Sequence, residues 1–201
     1  MAVDSLPNLP DRSFVFIDSN VFVYALTAQS AQCRQLFERC LREEVTGIAL
    51  FETVNEVTHR FMIAEALSKG LITAGGARAL RNKFQQIPTL TDYWLNTRRM
   101  LALNLLFMPV NETIIRNAQT VRQEAGLLTN DSMIVAGMRE YGLSFLASND
   151  SDFERVRDIT VFKPTDLPYG IKVRPPRFSP LVTVLLTPES GHRSVFLAPK
   201  H

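Results

Sequence analysis

The sequence predicts an α/β fold, in which a mainly parallel sheet of four to five strands has helices on both faces. Two observations support this prediction. Short apolar runs rich in β-branched and aromatic side chains recur along the chain, and segments with apolar residues at helical spacing separate them. Strands that alternate with helices build parallel sheets, because each crossover helix covers a face of the sheet.

Five apolar runs are the predicted strands. The first is residues 14–17, which read FVFI and combine aromatic with β-branched side chains. The others are residues 46–50, 105–110, 143–147 and 159–162. Each run is short, as expected of strands buried on both faces of a parallel sheet.

The segments between these runs have helical periodicity. Ser30 is expected to cap one helix, and Asn111 is expected to cap another that extends to residue 125, because both side chains can accept a hydrogen bond from a free backbone N–H. The remaining predicted helices are residues 52–67, 73–86, 91–103 and 131–141.

Length and composition indicate one globular domain with two appendages. The chain has 201 residues, of which 46% are hydrophobic and 21% are charged, and this length suffices for a substantial core. Residues 1–13 are predicted to be a polar lead-in and residues 14–167 the domain. Residues 168–201 are a proline-rich tail, in which residues 181–187 and 194–197 could pair as a hairpin.

The cysteines and the hydropathy pattern indicate a cytoplasmic protein. Cys33 and Cys40 are seven residues apart on one predicted helix, about 10.5 Å along its axis. A disulfide needs Cα atoms within about 7 Å, so we expect none. We expect no signal peptide, because a basic start followed by an apolar run is missing, and the longest apolar stretch is too short to cross a membrane.

Charge alone does not identify a partner. The net charge of +2 neither requires nor excludes a nucleic acid. Five basic residues concentrate in the middle of the chain, and we interpret them first as the solvated faces of helices. They are Arg78, Arg81, Lys83, Arg98 and Arg99.

Four acidic residues stand at the ends of predicted strands or near the starts of predicted helices. Asp18 follows the first strand, and Asp150 follows the fourth. Asp131 opens a helix, and Glu56 lies one turn into the helix after the second strand. In parallel sheets ligands bind beyond the carboxyl ends of the strands, so we expect the four to meet there. Because gathered carboxylates repel one another, this set predicts a divalent cation between them.

Two of these positions have competitors. Glu52 lies one turn before Glu56, and spacing alone does not choose between them. Glu56 is preferred because it adjoins the apolar stripe at Val57. Asp152 shares a loop with Asp150, which ranks first because it is nearer the strand end. A set of oxygen ligands favours Mg²⁺ or Mn²⁺ over Zn²⁺.

Two of the acids also have purely structural interpretations. Asp18 belongs to an Asp-Ser-Asn sequence that favours turns. Asp131 would stabilise the dipole of its helix, with Asn130 as the cap. These roles are compatible with metal binding, since a carboxylate at a helix start can still coordinate a cation.

The segments that carry the acids resemble the PIN-domain nucleases, particularly the VapC-like toxins of bacterial and archaeal toxin–antitoxin pairs. The matching segments are DSN at 18–20, Glu56 in NEV, NDSMIVAGMREYG at 130–142 and SNDSDF at 148–153. The resemblance covers residues 14–165. The long segment between Glu56 and Asp131 and the tail after residue 167 depart from the family pattern.

This resemblance implies a PIN-like three-layer α/β/α fold and a metal-dependent endoribonuclease that cuts single-stranded or structured RNA. Asn20 and Ser148 are expected to orient ligands or the phosphate. Family members often form homodimers and are inhibited by a cognate antitoxin, so the resemblance implies both here. The residues expected to hold Mg²⁺ or Mn²⁺ are Asp18, Glu56, Asp131, Asp150 and Asp152.

Two other classes of function use similar sheets. A phosphatase with an aspartyl nucleophile requires Asp-x-Asp after the first strand, but this chain has Asp18-Ser19-Asn20. A receiver-like module would use Lys163 but lacks an acid paired with Asp18. The main alternative is a non-catalytic RNA-binding or scaffolding domain with the same fold, and the presence of all four acids argues against it.

Overall fold

The sheet has six parallel strands. The computed structural model describes residues 2–73 and 76–167, so the predicted proline-rich tail and its hairpin lie outside the described residues. All strand pairs are parallel, and the spatial order is β1-β6-β5-β2-β3-β4. The strands are β1 (Ala2–Ser5), β2 (Phe14–Ile17), β3 (Thr46–Leu50), β4 (Leu105–Met108), β5 (Phe145–Ala147) and β6 (Thr160–Lys163).

Helices cover both faces of this sheet, which confirms the predicted three-layer arrangement. Short 3₁₀ segments lie at Leu6–Asn8, Phe84–Thr89 and Asp152–Arg155. The α-helices are α1 (Ser19–Leu26), α2 (Ala31–Leu41), α3 (Phe51–Ser68), α4 (Gly76–Arg81), α5 (Asp92–Leu101), α6 (Glu112–Ala125) and α7 (Thr129–Glu140).

Side-chain alternation along the strands creates two separate cores. In β2, Val15 and Ile17 point into a core formed with α1, α2, α3 and α5, whereas Phe16 points into a core formed with α6 and α7. Successive strand residues face opposite sides of a sheet, so a fully apolar strand fills both cores. This double burial explains why short apolar runs were a reliable strand signal.

The number of strands was underestimated, because β1 lies in the segment predicted as a lead-in. It pairs with β6 in register from Ala2 opposite Thr160 to Ser5 opposite Lys163. Its sequence, AVDS, has little β-branched or aromatic character. The strand forms where the edge of β6 offers unpaired backbone groups, and a sequence pattern does not report that.

Two helical predictions need correction. Helix α1 was not predicted, because Val21, Phe22 and Val23 are strand-favouring residues and all three are buried. The helix predicted for residues 73–86 is shorter: α4 ends at Arg81, and the 3₁₀ segment Phe84–Thr89 contains Pro88, which lacks the N–H that an α-helix needs.

The predicted helix caps have mixed outcomes. Ser30 accepts a hydrogen bond from the N–H of Cys33 at 3.0 Å, and Asn111 accepts one from the N–H of Ile114 at 2.9 Å, so both caps are confirmed. Asn130 is not a cap, because α7 begins one residue earlier, at Thr129. The side chain of Asn130 is therefore available for another contact.

The strand order defines the edge where a site can form. From β2 the chain builds outward through β3 to β4, then returns to the other side of β2 to add β5 and β6. The order therefore reverses between β2 and β5, whose registered pairs are Phe16 with Leu146 and Ile17 with Ala147. Side chains that follow β2 and β5 meet at the position where parallel sheets bind ligands.

The long segment between the second and third predicted strands forms a helical insertion with its own small core. Its buried members are Ala66, Ile72, Leu80 and Leu90. Glu65, fully buried, joins the two sides of the insertion by accepting hydrogen bonds from the N–H groups of Thr91 (2.7 Å) and Tyr93 (2.8 Å).

Among the described residues, no helix is long and apolar enough to span a membrane.

Two glycine substitutions test the packing of the central strands. A Cβ on Gly47 of β3 would lie 2.5 Å from Leu105 Cδ2 and 2.9 Å from Ile17 Cδ1, so Gly47→Ala should lower the free energy of unfolding by about 1–3 kcal/mol. A Cβ on Gly137 of α7 would lie an ordinary 3.5 Å from Leu50 Cδ2. Gly137→Ala should therefore raise stability by about 0.5–1 kcal/mol. Urea unfolding of both variants measures the contrast, and equal effects would contradict this packing.

Candidate functional site

Asp18 is the most buried acid at the carboxyl edge of the sheet. It directly follows β2, caps the first turn of α1 and exposes only 6% of its surface. Its Oδ1 accepts a hydrogen bond from the N–H of Ser19 at 2.6 Å, and its Oδ2 accepts one from the hydroxyl of Ser148 at 2.7 Å. The amide of Asn20 also donates to Oδ2. These bonds fix the orientation of the carboxylate.

The loop after β5 is hydrogen-bonded to Asn20, which also contacts Asp18. The amide of Asn20 donates to Ser148 Oγ at 3.1 Å, and Asn20 Oδ1 accepts from the N–H of Asn149 at 3.2 Å. Ser148 Oγ also accepts from the N–H of Asp150 at 3.0 Å. Asn20 and Ser148, the two residues predicted to orient ligands, therefore hold the ends of β2 and β5 together.

Glu56 connects three helices at this edge. It lies on α3, and its Oε1 accepts hydrogen bonds from the hydroxyl of Ser19 at 2.9 Å and from Arg60 Nη2 at 2.6 Å. Its Oε2 accepts from the amide of Asn130, on α7, at 3.4 Å. The carboxylate of Glu56 thus links α3 to the starts of α1 and α7.

Asp131 shows that the acids share one electrostatic environment. It is the third residue of α7 and is partly buried. Burial and, to a smaller extent, the charges of four other carboxylates together raise the pKa of Asp131 to about 6. Those carboxylates belong to Asp18, Asp150, Glu56 and Asp152. The structure therefore places the other four predicted metal ligands within electrostatic range of Asp131.

The pKa of Asp18 is raised for a similar reason. Burial raises the pKa of Asp18 to about 6, although the hydrogen bonds from Ser148 and Ser19 act in the opposite direction. The charge of Glu56 adds to the rise. Desolvation of the charged form therefore outweighs the hydrogen bonds that stabilise it.

The competing acids differ in their surroundings. Glu52, the competitor of Glu56, is not among the charges that raise the pKa of Asp131, and its Oε2 is buried without a hydrogen-bond partner in the described part of the chain. Asp152 pairs with Arg155, and its N–H donates to Asp150 Oδ1 at 2.8 Å. Asp150 and Asp152 both act on Asp131, so the contacts do not choose between them.

The donor set fits a hard divalent cation. Within residues 2–73 and 76–167, no three His, Cys, Asp or Glu side chains lie close enough to hold one metal ion together. Mg²⁺ in proteins is usually held by one or two carboxylates and completes its shell with water, so a three-residue cage is not required. The available ligands are carboxylate oxygens, which suit Mg²⁺ or Mn²⁺.

Three residues at the site had no predicted role in its chemistry. Ser19 stands between the predicted Asp18 and Asn20, and nothing in the spacing shows that its hydroxyl reaches Glu56. Arg60 follows Glu56 by four residues, a spacing typical of helical ion pairs, so it was detectable from the sequence. Asn130 was misassigned as a cap, although its side chain contacts Glu56.

Comparison with known proteins adds independent findings. A family model described as "PIN domain" matches residues 15–159, a segment that includes all five acids. Ribonuclease VapC6 of Methanocaldococcus jannaschii is 27% identical over 156 residues, which are 75% of this chain and 97% of that protein.

Two solved structures are also similar in part. A chain of a toxin–antitoxin complex from Klebsiella pneumoniae is 18% identical with a TM-score of 0.47, over 72% of this chain and 94% of that chain. A chain of VapBC2 from Rickettsia felis, bound to a DNA fragment from its promoter, is 14% identical with a TM-score of 0.46, over 75% of this chain and 98% of that chain.

Removing the charge of Asp131 should stabilise the metal-free protein at neutral pH. Its folded pKa of about 6 exceeds the ordinary 3.8, so ionisation of Asp131 destabilises the fold. A shift of this size corresponds to about 3 kcal/mol for a fully buried group, and partial solvent screening reduces our expectation to about 1–2 kcal/mol. Within the described residues, Asp131 forms no hydrogen bond that Asp131→Asn would remove.

The stability difference between Asp131→Asn and the wild type should depend on pH. The cost is absent below about pH 4, develops as the pH rises through 6, and is complete at neutral pH. Asp131→Asn should therefore melt several degrees above the wild type at pH 7.5 in chelator, and the difference should shrink towards pH 4. Thermal unfolding at both pH values measures it. A variant that is less stable at pH 7.5 would show that Asp131 is not repelled by the other acids.

Proposed function

The chain belongs to the PIN domain family, and we propose that it is a metal-dependent endoribonuclease that hydrolyses phosphodiester bonds in single-stranded or structured RNA. The observation that supports this proposal most strongly is the arrangement at the carboxyl edge of the sheet, where hydrogen bonds fix Asp18 and Glu56 and the charges of four other carboxylates act on Asp131. A fold rarely gathers repelling charges unless they serve a ligand. The similarity to a protein named as a ribonuclease supports RNA as the substrate.

The proposed metal ligands are the acids at the carboxyl edge. Asp18, Glu56, Asp131 and Asp150, with Asp152 as a further ligand, would together hold one or two Mg²⁺ or Mn²⁺ ions, each bound by one or two carboxylates and otherwise by water. A bound divalent ion would lower the pKa of a water molecule and stabilise the charge on the phosphate oxygens during hydrolysis.

The protein's own polar groups would keep these ligands in position. Ser148 and Asn20 hold one oxygen of Asp18, which leaves the carboxylate in a single orientation. Ser19 and Arg60 hold Glu56 Oε1 in the same way. Polar neighbours that orient carboxylate ligands typically change metal affinity or activity about 10–100-fold when they are removed.

The biological role that we propose is that of the toxin in a type II toxin–antitoxin pair. The acid-bearing motifs resemble those of VapC-like toxins, and this resemblance supports the toxin role. The same resemblance supports a cognate antitoxin as a partner and a homodimeric state. A cytoplasmic location agrees with the two free cysteines, Cys33 and Cys40. Both are buried, and burial raises the pKa of each thiol to about 12, so neither is a ready thiolate.

Substitution of the acids tests the proposed activity. The wild type should cleave single-stranded RNA with Mg²⁺ or Mn²⁺ and lose activity in chelator. Asp18→Asn and Asp131→Asn should each reduce the rate about a hundredfold or more, because each removes a charged ligand. Asp11→Asn is a matched control, since Asp11 is exposed and precedes β2, at the opposite edge of the sheet.

The outcomes of this test are distinct. Since Asp131→Asn is expected to be more stable than the wild type, unfolding would not explain its loss of activity. Cleavage that persists in both amide variants would show that the carboxylates are not the active site. Failure of the wild type to cleave diverse RNAs with either metal would contradict the enzymatic proposal.

A second pair of variants separates the two glutamates of α3. Glu56→Gln should reduce RNA cleavage and metal-induced thermal stabilisation, because Glu56 is coupled to Asp18 and Asp131. Glu52→Gln should retain both properties, since Glu52 is not among the main charges that act on those acids. Cleavage rates and melting temperatures with and without Mn²⁺ measure the contrast. The opposite pattern would assign the ligand to Glu52.

A further inference from the structure

The helical insertion is the most basic part of the chain. Between positions 69 and 104 there are six of the 22 basic residues but one of the 20 acidic residues, Asp92. This segment follows α3 and comprises α4, the 3₁₀ segment Phe84–Thr89 and α5. Six basic residues and one acidic residue give this segment a net charge of +5, whereas the whole chain has a net charge of only +2.

Lys69 pairs with Glu65, but the other five of these six basic side chains are not neutralised by acids in the described part of the chain. In the described part of the chain, Arg78, Arg81, Lys83, Arg98 and Arg99 form no ion pair, and the first four are exposed. Elsewhere most basic side chains have acidic partners, including Arg39, Arg42, Arg60, Arg116, Arg139, Arg155 and Lys163. The insertion therefore carries uncompensated charge, which attracts a polyanion.

Two large aromatic side chains are exposed in the same segment. Phe84 in the 3₁₀ segment is 66% exposed, and Trp94 on α5 is 52% exposed. Trp94 and Arg98 are four residues apart, so they lie on one face of α5. An exposed aromatic ring beside uncompensated cations is the arrangement on which single-stranded bases stack while their phosphates are neutralised.

The insertion is continuous with the helix that carries Glu56. Helices α3 and α5 pack against each other, and Thr58 and Thr97 share a hydrogen bond of 3.0 Å between their hydroxyl groups. Thr58 lies two residues from Glu56, about 3 Å along the helix axis. Arg98 directly follows Thr97. Thr58 and Glu56 project from different faces of α3, since residues two positions apart are about 200° apart around a helix, so this contact places α5 against α3 near the level of Glu56 along the helix axis.

We propose that this surface, which we call the α4–α5 surface, binds single-stranded RNA and directs it towards the carboxylates. Its residues are Arg78, Arg81, Lys83, Phe84, Trp94 and Arg98. The inference rests on the proposed function, because it assigns the substrate of that site a second area of contact. A second copy of the chain is a poorer occupant, since two such surfaces would bring like charges together.

Trp94 is the only tryptophan in the sequence, so its fluorescence reports directly on this surface. Titration of the wild-type chain with oligouridine in chelator should quench the fluorescence saturably, because bases stack on the indole. The same titration with polyglutamate should leave the fluorescence unchanged. Quenching by polyglutamate but not by RNA would assign the surface to an acidic protein and overturn the proposal.

Matched variants test the contribution of each type of side chain. Trp94→Ala should weaken oligouridine binding about tenfold, measured by anisotropy of labelled RNA. Arg98→Ala should reduce the slope of log affinity against log salt by about 0.7, the value expected for one lost phosphate contact. The controls are Phe14→Ala and Arg157→Ala, which remove an exposed aromatic ring and an exposed cation near the amino ends of β2 and β6.

The outcomes separate the surface from the catalytic proposal. If the wild type cleaves RNA but Trp94→Ala and Arg98→Ala bind like their controls, the α4–α5 surface is wrong and the nuclease proposal stands. If these variants bind weakly and the wild type never cleaves, the surface stands and the nuclease proposal is wrong. Circular dichroism spectra that match the wild type would confirm that both variants are folded.

Discussion

The hydrogen bond from Ser148 to Asp18 is the contact on which the rest of the site depends. It joins the ends of β2 and β5, the two strands between which the sheet order reverses. Ser148 also accepts a hydrogen bond from the N–H of Asp150 in the loop after β5. Ser19, which follows Asp18 in the chain, donates a hydrogen bond to Glu56. Without these bonds the buried carboxylate would lack partners, and an unpartnered buried charge is strongly unfavourable. This connection fixes Asp18 and the loop that carries Asp150 relative to each other.

Local neutralisation divides four of the five acids into two kinds. Glu56 pairs with Arg60, and Asp152 pairs with Arg155, so part of the negative charge is balanced within the fold. Asp18 and Asp131 have no such ion-pair partner among the described residues. The pKa of each of these two carboxyl groups is raised to about 6. The unbalanced charge is therefore centred between β2 and α7, where a cation would relieve it.

The sequence predicts the features that depend on local chemistry and misses those that depend on distant partners. The strands were recognisable because both of their faces are buried, and Asp18 and Asp150 were recognisable because they follow strands. Helix α1 was missed because its burial on most sides removes the polar face that marks a helix. The contact between Ser19 and Glu56 joins residues 37 positions apart, and its hydroxyl has no pattern that reveals its partner. Asp150 and Asp152 both remain candidate metal ligands in the structure.

The interpretation of the basic residues in the helical insertion also changes once the fold is known. In the sequence, five basic residues on helices fit solvated surfaces, since most such residues pair with nearby acids or extend into water. The structure shows that acidic partners are missing around them in the described residues and that Phe84 and Trp94 are exposed beside them. A domain that gathers negative charge at the sheet edge repels RNA there unless cations intervene. A separate positive surface would supply the attraction that the carboxylate site itself opposes, so the two charge clusters have complementary roles in binding one polyanion.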